Sequence, residues 1–572
     1  MRARVAVVAC RDRIAEPLLA ALSRSPHVEV CERVSHNPER IDAAAFSRYD
    51  TVVCSPLHSG SASTGPDLTL AREVCARLAS LPLTQAVVIG SAAVYSPNHQ
   101  NAGLLDESAF VPEGRSAIAD GWREVEEISA QIGERSGAAA PIHTILRCAA
   151  VLDGEDYFSR LLTGRVAITY PGHDPTIQFL SPDDLAGAVT AVIERRAAGI
   201  YNVAPAAGIP LKAALRVAGV PRLPLGRLAQ NAVRSIASSA SLSAPADQLK
   251  YIQFSWTVSG RKLQSDAGFV PTLASEQVIR KLTGAKPTTA ATSGDYDEFG
   301  MDAAYIRRYC RHLFHLLHDM YWRVEIDGIE QVPDKGRGVL VGMHRGFMPF
   351  DGVMALYALV TKRNRIPRFL IHPSLTKFPF LADFMAKLGG IMACQENGDW
   401  VLEREELLGV FPEGIRGAFT MYDRAYTLGK FGRDEFVRMA LRNRAPILPF
   451  VTVGSAEIYP ILKRVDWSWF KRYTEWPFLP ITAAPFPLPS KWHTQFLPPI
   501  HIEQQYGPEA AEDAKTVHRI SLEVRQRMQA AVDEMLLRRK SIFVGTIFDK
   551  QAAVKVPSSA VDKSDRSGSV GI

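Results

Sequence analysis

The sequence predicts an α/β protein built in two parts. The first is a doubly wound parallel sheet, and the second is another α/β unit with a mixed sheet covered by helices. Three observations lead there. Short apolar runs alternate with segments of helical period along most of the chain, which is the pattern of parallel strands joined by helices. The chain has 572 residues, too many for one ordinary core. Residues 282–296, "LTGAKPTTAATSGDY", are small, polar and without period, after which the alternation begins again.

Composition narrows the class. Hydrophobic residues make up 47% and charged residues 22%, the balance of a globular protein that can bury a core. A formal net charge of +6 is too small to argue for nucleic acid, but it suits an anionic membrane surface or a phosphate-bearing substrate. Seven cysteines stand at positions 10, 31, 54, 75, 148, 310 and 394. None is at C-x-x-C spacing, so reduced thiols are expected rather than a disulfide frame or a zinc site. The opening "MRARVAVVACRDR" has an apolar run of about six residues, short for a signal peptide. No stretch approaches the ~18 apolar residues of a membrane span.

Element by element, "RVAVVAC" reads as a buried strand and "AEPLLAALSRS" as a helix. "YDTVVCSP", "QAVVIGSAAVY" and "HTILRCAAVL" are further apolar strands. The charge-rich "WREVEEISAQIGER" reads as a helix with a solvated face. The ordered series "VVIGSAAVYSPN", "LDESAFVP", "ILRCAAVL", "QFLSPDDLAGAV" and "GIYNVAP", closed by "SGRKLQSDAGFVPT", resembles the extended short-chain dehydrogenase and NAD-dependent epimerase family over roughly residues 1–275. That resemblance implies a Rossmann-like sheet. The family's chemistry is not implied with it. A phosphate-cradling loop needs glycines so that backbone N–H groups approach the pyrophosphate; this chain has Ala9, Asp12 and Ala15 there. The family's Tyr and Lys pair should fall in "SAIADGWREVEEI", which contains neither, and the first lysine of the chain is Lys212. Ser91 and Tyr95 keep a family look but equally suit a strand end and a packed aromatic. The missing groups tell against NAD(P) binding and leave a degenerate domain over 1–281.

The second half carries denser chemistry. "AAYIRRYCRHLFHLLHDMYWRVEIDGI" reads as a long amphipathic helix running into a strand. "GVLVGMH", "ELLGVFPEG" and "APILPFVTVG" are three apolar strands, each ending at polar residues. Behind the first comes "MHRGFMPFDG", in which six residues separate His344 from Asp351. A straight helix of seven steps would rise about 10 Å, beyond hydrogen-bond reach. Gly346 and Pro349 argue for a loop over 345–348 with a helix starting near Pro349, so that Asp351 falls in its first turn and folds back to the imidazole. Taken alone, the pair also suits a structural His and Asp.

"FPEGIR" at 411–416, about seventy residues later, changes the balance. It resembles the Phe-Pro-Glu-Gly-Thr-Arg motif of the glycerolipid (1-acylglycerol-3-phosphate) acyltransferase superfamily, with Ile415 in place of the Thr. The His and Asp before it and the Pro-containing strand "APILPFVTVG" after it stand in the superfamily's order. The resemblance spans 297–547, although Met343 replaces the common Asn and the His–Asp gap is two residues longer than usual. It implies that His344 is the general base and that Asp351 fixes its tautomer. It also implies that Arg345, Gly346, Glu413, Gly414 and Arg416 bind the acyl acceptor, with Glu413 and Arg416 facing the same cavity as His344. The donor would be acyl-CoA or acyl carrier protein, the acceptor a glycerolipid hydroxyl such as that of lysophosphatidate, and no cofactor or metal would be required.

A lipid acceptor calls for a membrane-facing surface. "DWSWFKRYTEWPF" at 466–478 mixes aromatic and cationic residues as headgroup-zone segments do. The expectation is a cytoplasmic protein, peripheral at the inner face of the membrane. His312, His315 and His318 invite a metal reading, but steps of three drift around an α-helix and no carboxylate or cysteine matches, so packing or a surface position is expected. Residues 548–572 read as a disordered tail. The alternatives are an epimerase-like oxidoreductase and a non-enzymatic lipid-binding scaffold. The first would retain NAD(P), and the second would not need His344.

Overall fold

The computed structural model describes residues 2–8, 11–35, 48–56, 65–109, 111, 113–114, 116–133, 140–205, 207–226, 247–286, 296–432 and 434–548. Ala9, most of the 282–296 stretch and all but the first residue of the 548–572 tail lie outside these, so those expectations are not addressed.

The first sheet is all parallel among the described residues. Its strands are β1 (Ala3–Val8), β2 (Val28–Ser35), β3 (Thr51–Cys54), β4 (Gln85–Ser91), β5 (Ile142–Cys148) and β6 (Gly199–Val203), in spatial order β6-β5-β4-β3-β1-β2. The inner strands are buried because helices pack against the sheet, α1 (Asp12–Arg24), α2 (Leu68–Ala79), α3 (Ala117–Gly133) and α4 (Pro182–Glu194), while the edge strand β2 is only partly covered. The order reverses between β1 and β3, the switch point at which a doubly wound sheet receives its ligand. On α3, Trp122, Val125 and Ile132 face the core, while one charge of the outer face, Glu126, is drawn into a two-pronged pair with Arg147 of β5 at 2.7 and 2.8 Å.

The second half opens with α5 (Ala303–Tyr309), which continues through Cys310–Phe314 and Leu316–Tyr321 in the wide π pitch rather than as one α-helix. Its sheet is mixed. The strands β7 (Glu325–Asp327), β8 (Gly338–Gly342), β9 (Arg368–Ile371), β10 (Ile391–Met392), β11 (Leu407–Val410), β12 (Ile447–Val453) and, after the hairpin β13 (Ile461–Val465) and β14 (Leu479–Thr482), β15 (His493–Phe496) lie in the order β7-β15-β12-β8-β11-β9-β10. Only β12 and β15 run antiparallel in that sheet. Helices α6 (Phe350–Arg363), α7 (Leu381–Lys387), α8 (Glu435–Arg442), α9 (Ser468–Thr474) and α10 (Ala514–Arg538) complete it. Val339 and Val341 contribute to one core and Leu340 to the other, so β8 is covered on both sides.

Candidate functional site

Arg11 leaves the carboxyl end of β1 and its buried guanidinium pairs with buried Asp153, from the loop after β5, at 2.9 Å. A Cβ on Gly154 would lie 2.7 Å from the Arg13 guanidinium, so Arg13 packs closely on the loop after β5. The Tyr95 hydroxyl accepts from Arg147 at 2.8 Å and lies within hydrogen-bonding distance of Asn202 Oδ1 and the Asp106 carbonyl, and burial raises its pKa.

In the second half the site grows from the end of β8. A Cβ on Gly342 would collide with Phe411 and Phe450, whose rings close over the strand end. Met343 is buried, and His344 follows with its ring 4.9 Å from Phe411. The chain then reverses through two consecutive residues of positive φ, Gly346 (+78°) and Phe347 (+62°). A Cβ on Gly346 would collide with the Ser455 carbonyl, so only glycine serves there. Pro349 caps α6, whose second residue is Asp351. The fold-back that the spacing requires is therefore made: His344 Nδ1 lies 2.8 Å from both Asp351 oxygens. The carboxylate also accepts from the Arg345 and Gly352 backbone N–H groups at 2.8 and 2.9 Å, and the α6 dipole favours its charge. A carboxylate in this position accepts from whichever ring nitrogen faces it, so the contact orients the imidazole with Nε2 turned away from Asp351.

Arg345 and Glu413 serve differently from the sequence expectation. Both are buried, and they pair with each other at 2.7 and 3.1 Å. The guanidinium further donates to the Ala425, His344 and Thr427 carbonyls. Glu413 accepts from the Gly429 N–H at 2.7 Å. Every donor of Arg345 is engaged, so the pair fastens the turn after β11 to the backbone of His344 instead of reaching a substrate. Gly414 has φ +58° and ψ −150°, a conformation open to glycine, and it lines the cavity. Arg416 lies on the short turn Ile415–Ala418, is exposed, and is not among the cavity residues. The expectation that Glu413 and Arg416 face one cavity with His344 is thus corrected. The motif residues that do line it are Phe411, Pro412, Gly414 and Ile415.

The cavity in front of His344 has a volume of about 260 Å³. Its wall is overwhelmingly apolar, with Leu356, Phe369, Leu375, Met385, Leu388 and Met439 among the lining residues. No lysine or arginine is among the described residues that line it; Asp434 and Glu435 are. Trp476, from the aromatic 466–478 stretch, closes one side and packs on Phe347 and Phe419 at 5.1 and 5.5 Å. Phe369, Met385, Leu388 and Met439 were not singled out from sequence, because an isolated apolar residue looks the same whether it lines a cavity or fills a core.

A family profile described as Acyltransferase matches residues 323–453, the span holding His344, Asp351 and the 411–416 motif. An uncharacterized protein of Mycobacterium tuberculosis is 35% identical over 265 residues, 44% of this chain and 73% of that protein. The chain belongs to the acyltransferase family. A counterpart from Mycobacterium leprae is 34% identical over 71% of its length. Phytyl ester synthase 1 of Arabidopsis thaliana chloroplasts is 26% identical, over 39% of this acyltransferase and 36% of that protein. Among solved structures, a human epimerase-family protein with NADPH is 14% identical with a TM-score of 0.39, covering 49% of this chain and 99% of its own. The three histidines of the first helix of the acyltransferase half take separate roles. His312 bonds the Arg308 carbonyl, and His315 and buried His318 both turn to Asp319.

Proposed function

We propose that this acyltransferase moves a fatty acyl group from acyl-CoA or acyl carrier protein to the hydroxyl of a lipid acceptor, a glycerolipid such as lysophosphatidate, with His344 as general base. One observation carries the reading: a histidine oriented by a buried carboxylate stands at the wall of a cavity otherwise shaped for hydrocarbon. Nε2 takes the proton of the acceptor hydroxyl as its oxygen attacks the thioester carbonyl. The tetrahedral intermediate collapses, the C–S bond breaks, and His344 returns the proton to the departing thiolate. Asp351 stabilises the imidazolium in between. No enzyme nucleophile takes part.

A second acceptor class, an uncharged long-chain alcohol, is favoured by the absence of lysine and arginine from the described lining and by the chloroplast phytyl ester synthase relatives. Arg416, exposed beside the turn, is the cation a phosphate headgroup would use. The acceptor would come from a membrane surface, with the protein peripheral at its inner face. No helix among the described residues is long and apolar enough to cross one.

The test is incubation with labelled acyl-CoA and a panel of lysophosphatidate, other lysophospholipids, monoacylglycerol, diacylglycerol and phytol. Label should pass to one class of acceptor. His344→Ala should abolish transfer with the fold intact, and Asp351→Asn should lower kcat by roughly 10²–10⁴-fold. Near wild-type turnover in His344→Ala would remove the base from the mechanism.

A further inference from the structure

The segment from Ile371 to Gly390 separates two hollows. On one side Ile371, Leu375, Met385 and Leu388 wall the apolar cavity before His344. On the other, Thr376, Ala382, Asp383 and Ala386 face the first half of the chain across a hollow of about 130 Å³ shared with His99 and His173. Helix α7 divides its surface accordingly. Met385 and the C-cap residue Leu388 fall on one face, while Asp383, Ala386 and Lys387 fall on the opposite one and Ala382 lies at the edge between them.

The outward face is held by a charge cluster drawn from both halves. Asp174, whose side chain is 1% exposed, receives Lys387 Nζ at 3.2 Å and Lys212 Nζ at 3.7 Å. Asp383 receives Lys212 at 2.6 Å and Lys387 at 2.9 Å. The Lys212 backbone N–H donates to Asp174 at 2.7 Å. Beside the cluster the contact becomes backbone to backbone. The Phe380 N–H donates to the Gly172 carbonyl at 2.8 Å, and a Cβ on Gly172 would lie 2.6 Å from that nitrogen. Phe380 itself sits at φ +66°, unusual for a bulky residue, immediately before α7. Thr376 donates to the His99 carbonyl at 2.6 Å.

We propose that the nucleotide-type half serves the acyltransferase as a clamp: through Asp174, Lys212 and Gly172 it fixes α7, and so sets the shape of the acyl cavity and the acyl chain that the enzyme prefers. Asp174, Lys212 and Gly172 are positioning residues; none of them lines the cavity. The specificity-determining residues they place are Met385 and Leu388. This rests on the transfer reaction proposed above.

The test takes the full-length protein as wild type, Lys212→Met, Asp174→Asn and Gly172→Ala. Two quantities are read: kcat/KM for a series of acyl-CoA donors of increasing length, and deuterium exchange of residues 373–388. The wild type should show a defined preferred length. The variants should change the ratio of long- to short-donor kcat/KM by roughly tenfold, the scale of one or two methylenes in an apolar pocket, with faster exchange confined to 373–388. Asp174→Glu should restore much of the ratio. Folded variants with an unchanged ratio and unchanged exchange would overturn the clamp. Because Asp174 is deeply buried, Lys212→Met, whose side chain is 20% exposed, decides the matter if Asp174→Asn does not fold. If the wild type transfers no acyl group, the reaction proposed above has failed, and the exchange measurement alone decides whether α7 is clamped.

Discussion

Arg345 and Glu413 stand 68 residues apart in sequence and side by side behind the turn that follows His344. Their side chains are 1% and 3% exposed, so each neutralises a charge that water does not reach. Removing one partner strands the other, at a cost of about 3–5 kcal/mol, whereas removing both with apolar residues of similar volume costs far less. Arg345→Met should therefore lower the urea midpoint sharply, and Arg345→Met with Glu413→Leu should recover most of the loss while still impairing turnover, because the His344 carbonyl loses its tie. A double variant as unstable as the single would refute this view of the pair. The His344–Asp351 contact could be foreseen from the chain itself, since Gly346 and Pro349 rule out a straight helix. The use of Glu413 could not. A Glu in a loop three residues before an Arg reads as ligand-facing until the fold brings Arg345 against it.

Among the elements, α9 and the hairpin β13–β14 carry an unusual outer surface. Trp467, Trp469 and Tyr473 are 49%, 61% and 65% exposed, with Leu462, Ile481 and Phe486 nearby in the same region of the chain. Trp469 and Tyr473 stack at 5.6 Å, Arg464 and Arg472 are exposed among them, and Phe470 leads inward to Trp476 at the cavity wall. Burying each ring in a lipid headgroup layer is worth about 1.5 kcal/mol, roughly tenfold in partitioning. Trp469→Ser with Tyr473→Ser should therefore cut sedimentation with anionic vesicles by more than an order of magnitude and leave transfer to a water-dispersed acceptor intact; undiminished vesicle binding would place the membrane contact elsewhere. The aromatic–cationic stretch was legible in sequence. The π pitch after α5 was not: no residue type marks a wide turn, which here accompanies the seating of Phe314 and Trp322 in the core.

At the scale of the molecule, buried histidines couple its stability to acid, His318 and His493 among them. Burial lowers the pKa of His318 and of His493, more than Asp319 and the Gly545 carbonyl raise them. Each is neutral in the folded protein and titrates near 6.5 when unfolded. Their contribution is complete above that pH and is lost as pH falls through 6.5 toward the lower folded values. Carboxyl groups raised by burial, such as Glu406 and Asp174, act in the opposite direction, so the comparison that isolates the effect is between proteins. The fall in urea midpoint from pH 7.5 to 5.5 should be larger in wild type than in His493→Gln, and equal slopes would dismiss it. The two sheets themselves were readable, because strand–helix alternation is a property of the local chain. The junction between them was hidden: Asp174, Lys212, Asp383 and Lys387 look like ordinary surface charges until the halves meet.

The pairing of β7 with β15 joins Glu325 to His493, 168 residues apart, and Trp322 stacks on Trp492 at 4.6 Å beside it. During synthesis the first strand of that sheet waits while the rest of the domain leaves the ribosome, roughly 10–30 s at ordinary elongation rates. For that interval Trp322 lacks its stacking partner Trp492, whereas the first sheet already has all its described strands in hand. The order of the two halves along the chain thus lets the earlier one fold first and stand ready, with Gly172 and Asp174 in place, when α7 emerges.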